Sequence, residues 1–162
     1  MTNKLFSNLL LFSLFGTTMW FFGNLYEGIV IAPNMLENSI QRMHSWQDFF
    51  VVTNPIFYYV PLPPLATVAL VVLYFKTPNQ KTALKRRLKM ASIFQIASIV
   101  LSIYIITQIN LKLFFGDLEK YTDEIQSMAI LWNVLNVFRL ALVATALTFT
   151  FKVYVQIQKE NN

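Results

Sequence analysis

The chain has 162 residues, of which 56% are hydrophobic and 13% are charged, with a net charge of +5. It contains no cysteine, which excludes disulfides, thiol redox chemistry and cysteine-ligated metals or iron–sulfur clusters. It also lacks the dinucleotide, P-loop and serine-hydrolase motifs, so no motif supports nucleotide cofactors or serine-hydrolase chemistry.

Four apolar segments follow one another along the chain, each at or above the ~20 residues needed to cross ~30 Å of hydrocarbon. They run from Leu5 to Ala32, from Phe49 to Phe75, from Met90 to Ile109 and from Met128 to Phe151. Lys4 before an apolar run imitates a secretory signal, but hydrophobicity continues past Trp20 and no cleavage site follows, so we expect a retained helix. The sequence therefore predicts an all-α fold, an integral membrane four-helix bundle formed by residues 1–162 as a single domain.

Basic residues concentrate in the connection between the second and third segments, whereas the other two connections lean acidic. The basic residues there are Lys76, Lys81, Lys85, Arg86, Arg87 and Lys89. Because short cytoplasmic loops carry the excess of Lys and Arg, we expect this connection and both termini to be cytoplasmic, in the inner (plasma) membrane of a bacterium. No nucleic-acid motif accompanies these residues, so they indicate contact with anionic membrane lipid rather than with nucleic acid.

The second segment is rich in proline, which removes backbone donors and bends helices. Thr53-Asn54-Pro55 is typical of a helix start, and Pro61, Pro63 and Pro64 follow. An unbroken helix from Pro64 to Phe75 spans only about 18 Å. We therefore predict a Pro-kinked second helix in which residues 49–62 complete the crossing as a bent or partly re-entrant piece, packed against protein or a water-lined cavity.

Polar side chains inside the first and fourth segments recur at helical spacing. Positions i, i+4 and i+7 are Trp20, Asn24 and Glu27 in the first segment and Trp132, Asn136 and Arg139 in the fourth, where Asn133 lies one step aside. Residues at this spacing share one face of a helix. We expect these faces to point at each other, because amides facing lipid stay unsatisfied.

Arg139 lies near the middle of the fourth segment, where a guanidinium is costly unless it faces a protein interior, a partner or a wet cavity. Glu27 is the only acid within the apolar extent of the first three segments, and we predict that it pairs with Arg139. Two interpretations remain open. The pair either fixes the register of the first and fourth helices or supplies an active-site or transport charge.

Two short patterns flank the second acidic connection. Thr107-Gln108-Ile109-Asn110 closes the third segment, and Trp132 is followed seven residues later by Arg139. With its length, four spans and basic internal connection, the chain resembles the small four-helix membrane proteins that include anthrone oxygenases and many members of unknown function. Relatives commonly carry a His shortly before that Arg, whereas this chain has Asn136.

The resemblance implies an oxygenase or related oxidoreductase that acts on a lipophilic, phenol-like substrate without metal or other cofactor. A carbanion held in a dry pocket reacts with dioxygen directly, so the protein supplies mainly charge stabilisation. Arg139 would hold the enolate-like oxyanion, Asn110 and Asn136 would orient it, and Trp132 would stack on the ring. The alternative is a non-catalytic binder, transport accessory or structural subunit in which Arg139 and Glu27 lock the bundle.

These polar faces predict one cavity between the first, third and fourth helices. We expect Arg139, Asn136, Trp132 and Asn110 to line it together with Asn133, and Glu27 and Asn24 to lie at its wall. Tyr58 and Tyr59 either form its mouth or anchor the second helix at the membrane interface. A single histidine, His44, with no second histidine at three or four residues is a poor metal signal, so the sequence predicts no metal site.

Overall fold

Helices make up nearly all of the computed structural model, which describes residues 3–37 and 39–161 and has no strand within them. The α-helices are α1 (Asn3–Tyr26), α2 (Ala32–Leu36), α3 (Ser39–Phe49), α4 (Pro55–Tyr59), α5 (Leu62–Lys76), α6 (Thr82–Ile105), α7 (Leu111–Leu113) and α8 (Ile125–Asn161). Two π-helical turns, Glu27–Ile31 and Ile106–Asn110, lead from α1 into α2 and from α6 into α7. The predicted all-α class is confirmed.

Four stretches of the described chain are long and apolar enough to cross a membrane. They are Lys4–Leu36, Pro55–Lys76, Thr82–Leu113 and Ile125–Glu160. Helix α1 packs against α5 and α8, and α6 packs against the same two helices, so the four long helices form a closed ring. Large apolar side chains point outward along the bundle, as a lipid environment requires; Phe15, Phe75 and Val137 are each about two-thirds exposed or more.

The two ends of the bundle carry different charges. At one end, which we call the basic end, Lys81 at the α5–α6 connection pairs with Glu160 near the end of α8, at 2.6 Å. At the opposite end, the acidic end, Ser39 donates a hydrogen bond to Gln126 at 2.7 Å. Gln47 of α3 donates to the carbonyl oxygens of Leu113 and Gly116. The basic connection and the C-terminal part of α8 therefore lie together, away from both acidic connections.

The second apolar span is shorter than the sequence predicts, because it begins at Pro55 rather than at Phe49. The Asn54 side chain caps α4 by accepting a hydrogen bond from the backbone N–H of Ile56 at 3.0 Å, which satisfies one of the free donors at a helix start. Residues 50–54 are outside any helix, and Val52 is 93% exposed. The span then consists of α4 and α5, separated by residues 60 and 61.

The first acidic connection is not a simple loop, since it contains helix α3. Met43 of this helix is fully buried against the acidic end of the bundle, whereas His44 is exposed to the outside. Each end of the bundle has its own apolar core: Met35, Ile109 and Leu113 belong to the core at the acidic end, and Leu70 and Leu88 to the core at the basic end.

Between the two apolar cores the bundle interior is polar. Gln95 of α6 donates a hydrogen bond to Thr17 of α1 and accepts one from Thr67 of α5 at 2.6 Å. All three side chains are buried. The Thr17 hydroxyl also donates to a carbonyl group of its own helix, and the single proton of the Thr67 hydroxyl is shared between Gln95 and a carbonyl group of α5. This buried cluster therefore links α1, α5 and α6 through interhelical hydrogen bonds.

Candidate functional site

The expected ion pair between the first and fourth spans is present in the bundle interior. The Nη2 atom of Arg139 lies 2.5 Å from the Oε2 atom of Glu27, and the two side chains are only 7% and 8% exposed. The same Nη2 atom donates a hydrogen bond to the Oδ1 atom of Asn136, one helical turn earlier. Desolvation makes a buried pair expensive unless further hydrogen bonds satisfy its atoms, and Asn136 supplies one of these.

Tyr59 of α4 completes the surroundings of the ion pair. Its hydroxyl interacts with the Glu27 carboxylate, and the guanidinium carbon of Arg139 lies 6.0 Å from its ring centroid, within cation–π range. Gly23 on α1 makes this approach possible. A Cβ atom at Gly23 would lie only 2.7 Å from the Tyr59 hydroxyl oxygen, so any larger residue would displace the ring.

A second interhelical hydrogen bond joins α8 to the π-helical turn after α6. The indole N–H of Trp132 donates to the Oδ1 atom of Asn110 at 2.9 Å. Asn110 is the last residue of its π-helical turn, and Glu27 is the first residue of the other. Such turns are rare and occur frequently at functional sites. Both turns present a polar side chain to the same region of the bundle interior.

The ion pair and the Trp132–Asn110 hydrogen bond both border a cavity of about 230 Å³, which we call the front cavity. Its polar lining comes from Glu27, Arg139, Asn110, Trp132 and Ser102. The remaining walls are apolar and come from the proline-rich second span (Pro55, Ile56, Tyr59, Val60, Pro63 and Pro64), from α6 (Ile99, Ile103 and Ile106) and from Trp20 of α1. The front cavity is therefore mainly apolar, and one charged pair lies in its lining.

A narrow branch of about 30 Å³ continues from the front cavity toward the acidic end. It shares the lining residues Glu27, Pro55, Ile56, Asn110 and Trp132 with the front cavity and ends against Phe50, Phe114 and Phe115. The rings of Phe50 and Phe114 meet edge to face with centroids 6.0 Å apart. Aromatic side chains thus close the front cavity at this end.

The three asparagines expected at the cavity from the first and fourth segments do not line the front cavity, contrary to the expectation of a single cavity. Asn24, Asn133 and Asn136 line a separate cavity of about 200 Å³ between α1 and α8, which we call the rear cavity. Gly28, Ala32 and three aliphatic side chains of α8 form the rest of its lining. Because Gly28 and Val137 are exposed, the rear cavity opens on the outside of the bundle. The ion pair and Asn136 therefore stand between two cavities.

Helical rotation explains this division. At about 100° per residue, the position i+7 is turned only about 20° from position i, whereas i+4 is turned about 40° in the opposite sense. Trp132 and Arg139 therefore face the front cavity together, and Asn136 turns to the other side. The same rotation places Trp20 and Glu27 at the front and Asn24 at the rear.

Tyr58 contributes to neither cavity lining. It is half exposed, and its ring packs edge to face on Tyr59 with centroids 4.9 Å apart. Among the front-cavity residues, Trp20 and Ser102 had no assigned role in the sequence. The spacing of Trp20 to Glu27, which matches that of Trp132 to Arg139, is the signal that could have identified Trp20.

Comparison of the chain with protein families, with curated proteins and with solved structures gives no match. A mainly apolar cavity with a guanidinium and a carboxylate in its lining can hold a lipophilic molecule and stabilise one polar or ionised group on it.

Proposed function

We propose that the protein binds a flat, lipophilic, phenol-like molecule in the front cavity and oxygenates it without a cofactor, as the resemblance to anthrone oxygenases implies. The observation that carries this proposal is the buried Glu27–Arg139 pair in the lining of a mainly apolar cavity of about 230 Å³. Intramembrane ionisable residues mark functional pathways by default, and here the charge is accessible from a cavity.

In the reaction we propose, a methylene group between aromatic rings becomes a ketone. Loss of a C–H proton gives a carbanion whose charge is delocalised onto a conjugated ketone oxygen, which becomes phenolate-like. Dioxygen adds to that carbon, and the peroxide anion takes up a proton to give a hydroperoxide. The hydroperoxide then loses water as its O–O bond breaks, so one oxygen atom enters the ketone and the other leaves in water. Arg139 stabilises the oxyanion, because preorganised charge in a dry site acts strongly.

The other residues have supporting roles in this proposal. Trp132 stacks on the aromatic rings of the ligand, and Asn110 holds the Trp132 indole through the hydrogen bond between them. Asn136 orients the guanidinium from the rear, since its Oδ1 atom accepts from Arg139. Glu27 balances the guanidinium charge, and Tyr59 forms part of the cavity wall.

The membrane placement is also a proposal. The basic end faces the cytoplasm, since Lys and Arg are retained there, and the membrane is the plasma membrane of a bacterium, with membrane lipid as a partner. The proline-bent second span, made of α4 and α5, forms the side of the front cavity through which a lipophilic molecule enters from the bilayer. Bent backbone at membrane depth is tolerated when it lines a cavity.

A second candidate function is structural, and one observation favours it. The Arg139 guanidinium already has a carboxylate and an amide partner, so the pair can lock α1 to α8 with no ligand present. In that case the protein is a binder, transport accessory or structural subunit with no catalytic activity. Oxygen consumption distinguishes the two functions.

The test measures dioxygen uptake by purified protein supplied with a tricyclic phenolic carbon acid, without added metal or flavin. We expect uptake above the uncatalysed rate and its loss in Arg139→Leu. Because that variant also breaks the ion pair, a second one leaves the pair intact: Ile103→Trp fills the front cavity. Val100→Trp is its control, since Val100 is 62% exposed and lines neither cavity.

Loss of uptake in Ile103→Trp but not in Val100→Trp would support the proposed function. Uptake that stays at the uncatalysed rate in the parent protein would favour the structural role, as would activity unchanged in Arg139→Leu. Ligand binding is read separately from tryptophan fluorescence. Trp20 and Trp132 line the front cavity and Trp46 does not, so quenching should persist in Trp46→Phe.

A further inference from the structure

The rear cavity contains buried amide groups whose hydrogen-bonding capacity is unused. Asn24 is 1% exposed, and neither its Nδ2 nor its Oδ1 atom has a hydrogen-bond partner among the described residues. The Nδ2 atom of Asn136, which is 4% exposed, is unpartnered in the same sense. Both residues line the rear cavity. A buried amide without a hydrogen bond costs about 1–3 kcal/mol, so these groups call for a partner inside that cavity.

The unused groups define the chemistry of that partner. Asn24 offers both a donor and an acceptor, and Asn136 offers a donor only, because its oxygen already accepts from Arg139. A ketone or ester oxygen would leave the acceptor of Asn24 unsatisfied, and a hydrocarbon chain would satisfy nothing. A group that both donates and accepts, an O–H group, satisfies both asparagines.

The rear cavity has room for such a group. Gly28 lies in its lining, and no heavy atom lies within 4 Å of the position that a Cβ atom would occupy there. The volume of about 200 Å³ exceeds the share of liquid volume of one water molecule, about 30 Å³, several times over. Gly28 also lies about 12 Å along the helix from Leu36, at ~1.5 Å per residue, so the rear cavity is close to the acidic end.

We propose that the rear cavity is a water site, in which water molecules bridge Asn24 and Asn136 behind the Glu27–Arg139 pair. Water is the O–H compound that fits best, because both asparagines are almost fully buried and water is the smallest such molecule. Three carboxamides line the cavity together with a glycine and four aliphatic side chains, and no charged side chain is among them. The carboxamides suit neutral polar molecules with two to four hydrogen bonds each.

This water site gives the ion pair two different sides. Glu27 and Arg139 border the apolar front cavity, while Asn136, bonded to Arg139, borders the rear cavity. Water at the rear lowers the cost of keeping a guanidinium at membrane depth, whereas the front cavity is lined mainly by apolar side chains. The inference does not depend on what the front cavity binds, so it can hold or fail independently of the proposed function.

Single-cysteine labelling tests the water site, because the chain has no cysteine of its own. Gly28→Cys places a thiol in the rear cavity without a clash. Its control, Ile29→Cys, is the next residue along the chain; Ile29 is 65% exposed and does not line the rear cavity. The full chain in lipid nanodiscs is treated with a hydrophilic methanethiosulfonate, which reacts with the thiolate and therefore needs water at the thiol.

A second pair of cysteine positions, on α8, shows whether a difference in labelling rate arises from the cavity or from the unusual backbone of the π-helical turn at Gly28. Val134 lines the rear cavity and is 46% exposed, whereas Leu131 is 41% exposed and lines neither cavity. We expect the thiols of Gly28→Cys and Val134→Cys to react at least about tenfold faster than those of Ile29→Cys and Leu131→Cys, because only the cavity thiols can ionise in contact with water.

A further variant links the reactivity to the amides. Asn24→Leu in the Gly28→Cys background removes the main hydrogen-bonding side chain, and we expect the labelling rate to fall toward that of Ile29→Cys. Equal rates within both matched pairs would overturn the water site. Labelling of the cavity thiols by N-phenylmaleimide alone, a lipid-soluble reagent, would also overturn it and would show that a lipid chain fills the rear cavity.

Discussion

Removing one partner of the Glu27–Arg139 pair should destabilise the protein more than removing both. The two charged atoms are 2.5 Å apart and the side chains are 7% and 8% exposed, so Glu27→Met or Arg139→Met leaves a buried charge without its partner. We expect each single variant to lose about 3–5 kcal/mol of the free energy of unfolding. The double variant should be nearly neutral, because apolar replacement of a whole buried pair often is. The loss of stability in each single variant should then exceed the loss in the double variant by at least about 3 kcal/mol.

Reversible unfolding in mixed micelles, titrated with sodium dodecyl sulfate and followed by tryptophan fluorescence, measures these differences. The chain offers a matched control in Lys81–Glu160, an ion pair of nearly the same length, 2.6 Å, whose side chains are 49% and 38% exposed. Variants of that pair should change the free energy of unfolding by about 1 kcal/mol or less. Additive losses at Glu27 and Arg139 would refute the reasoning, as would a double variant less stable than either single one.

Three further predictions concern packing, hydrogen bonding and topology. A Cβ atom at Gly16 would lie 2.7 Å from a Cβ atom of α5, whereas one at Gly28 meets nothing within 4 Å. In the same unfolding titration Gly16→Ala should therefore cost about 1–3 kcal/mol, while Gly28→Ala should be neutral or slightly stabilising. Gln95→Leu should cost about 1 kcal/mol, typical of interhelical hydrogen bonds in membranes, and a loss of zero would show that the buried cluster adds no stability. In intact cells, an impermeant thiol reagent should label Asp123→Cys and spare Asn79→Cys; the reverse would invert the proposed topology.

The ion pair was predictable because the sequence offers Arg139 only one acidic candidate inside the first three spans. Composition and segment length likewise sufficed for four apolar helices. The helix start at Pro55 was predictable, since Thr53-Asn54-Pro55 is typical of a helix start. The resulting shortening of the second span was not predicted. Hydrophobicity alone extended that span to Phe49, whereas the Asn54 cap begins it at Pro55.

The division into two cavities was harder to predict. Residue spacing identifies the face on which Trp132, Asn136 and Arg139 lie, but a face about 60° wide can border two different cavities. Which side each residue meets depends on the rotation of α8 about its axis, and packing against α1 and α6 sets that rotation. The π-helical turns were also not predictable, because the segments Glu27–Ile31 and Ile106–Asn110 carry no distinctive pattern.

The two π-helical turns make the number of residues in each helix as important as their identity. A π-helical turn accommodates one residue more than the α-helical hydrogen-bond step. Deleting one residue between Gly28 and Ile31 would therefore remove the π-helical turn and leave a continuous α-helix in nearly the same phase, because the turn absorbs the extra residue. Ala32 and Met35, which are 7% and 0% exposed, would keep facing the core. The same deletion in the regular part of α1 would rotate everything beyond it by about 100°, so single-residue deletions should be tolerated better in these two turns than elsewhere in the spans.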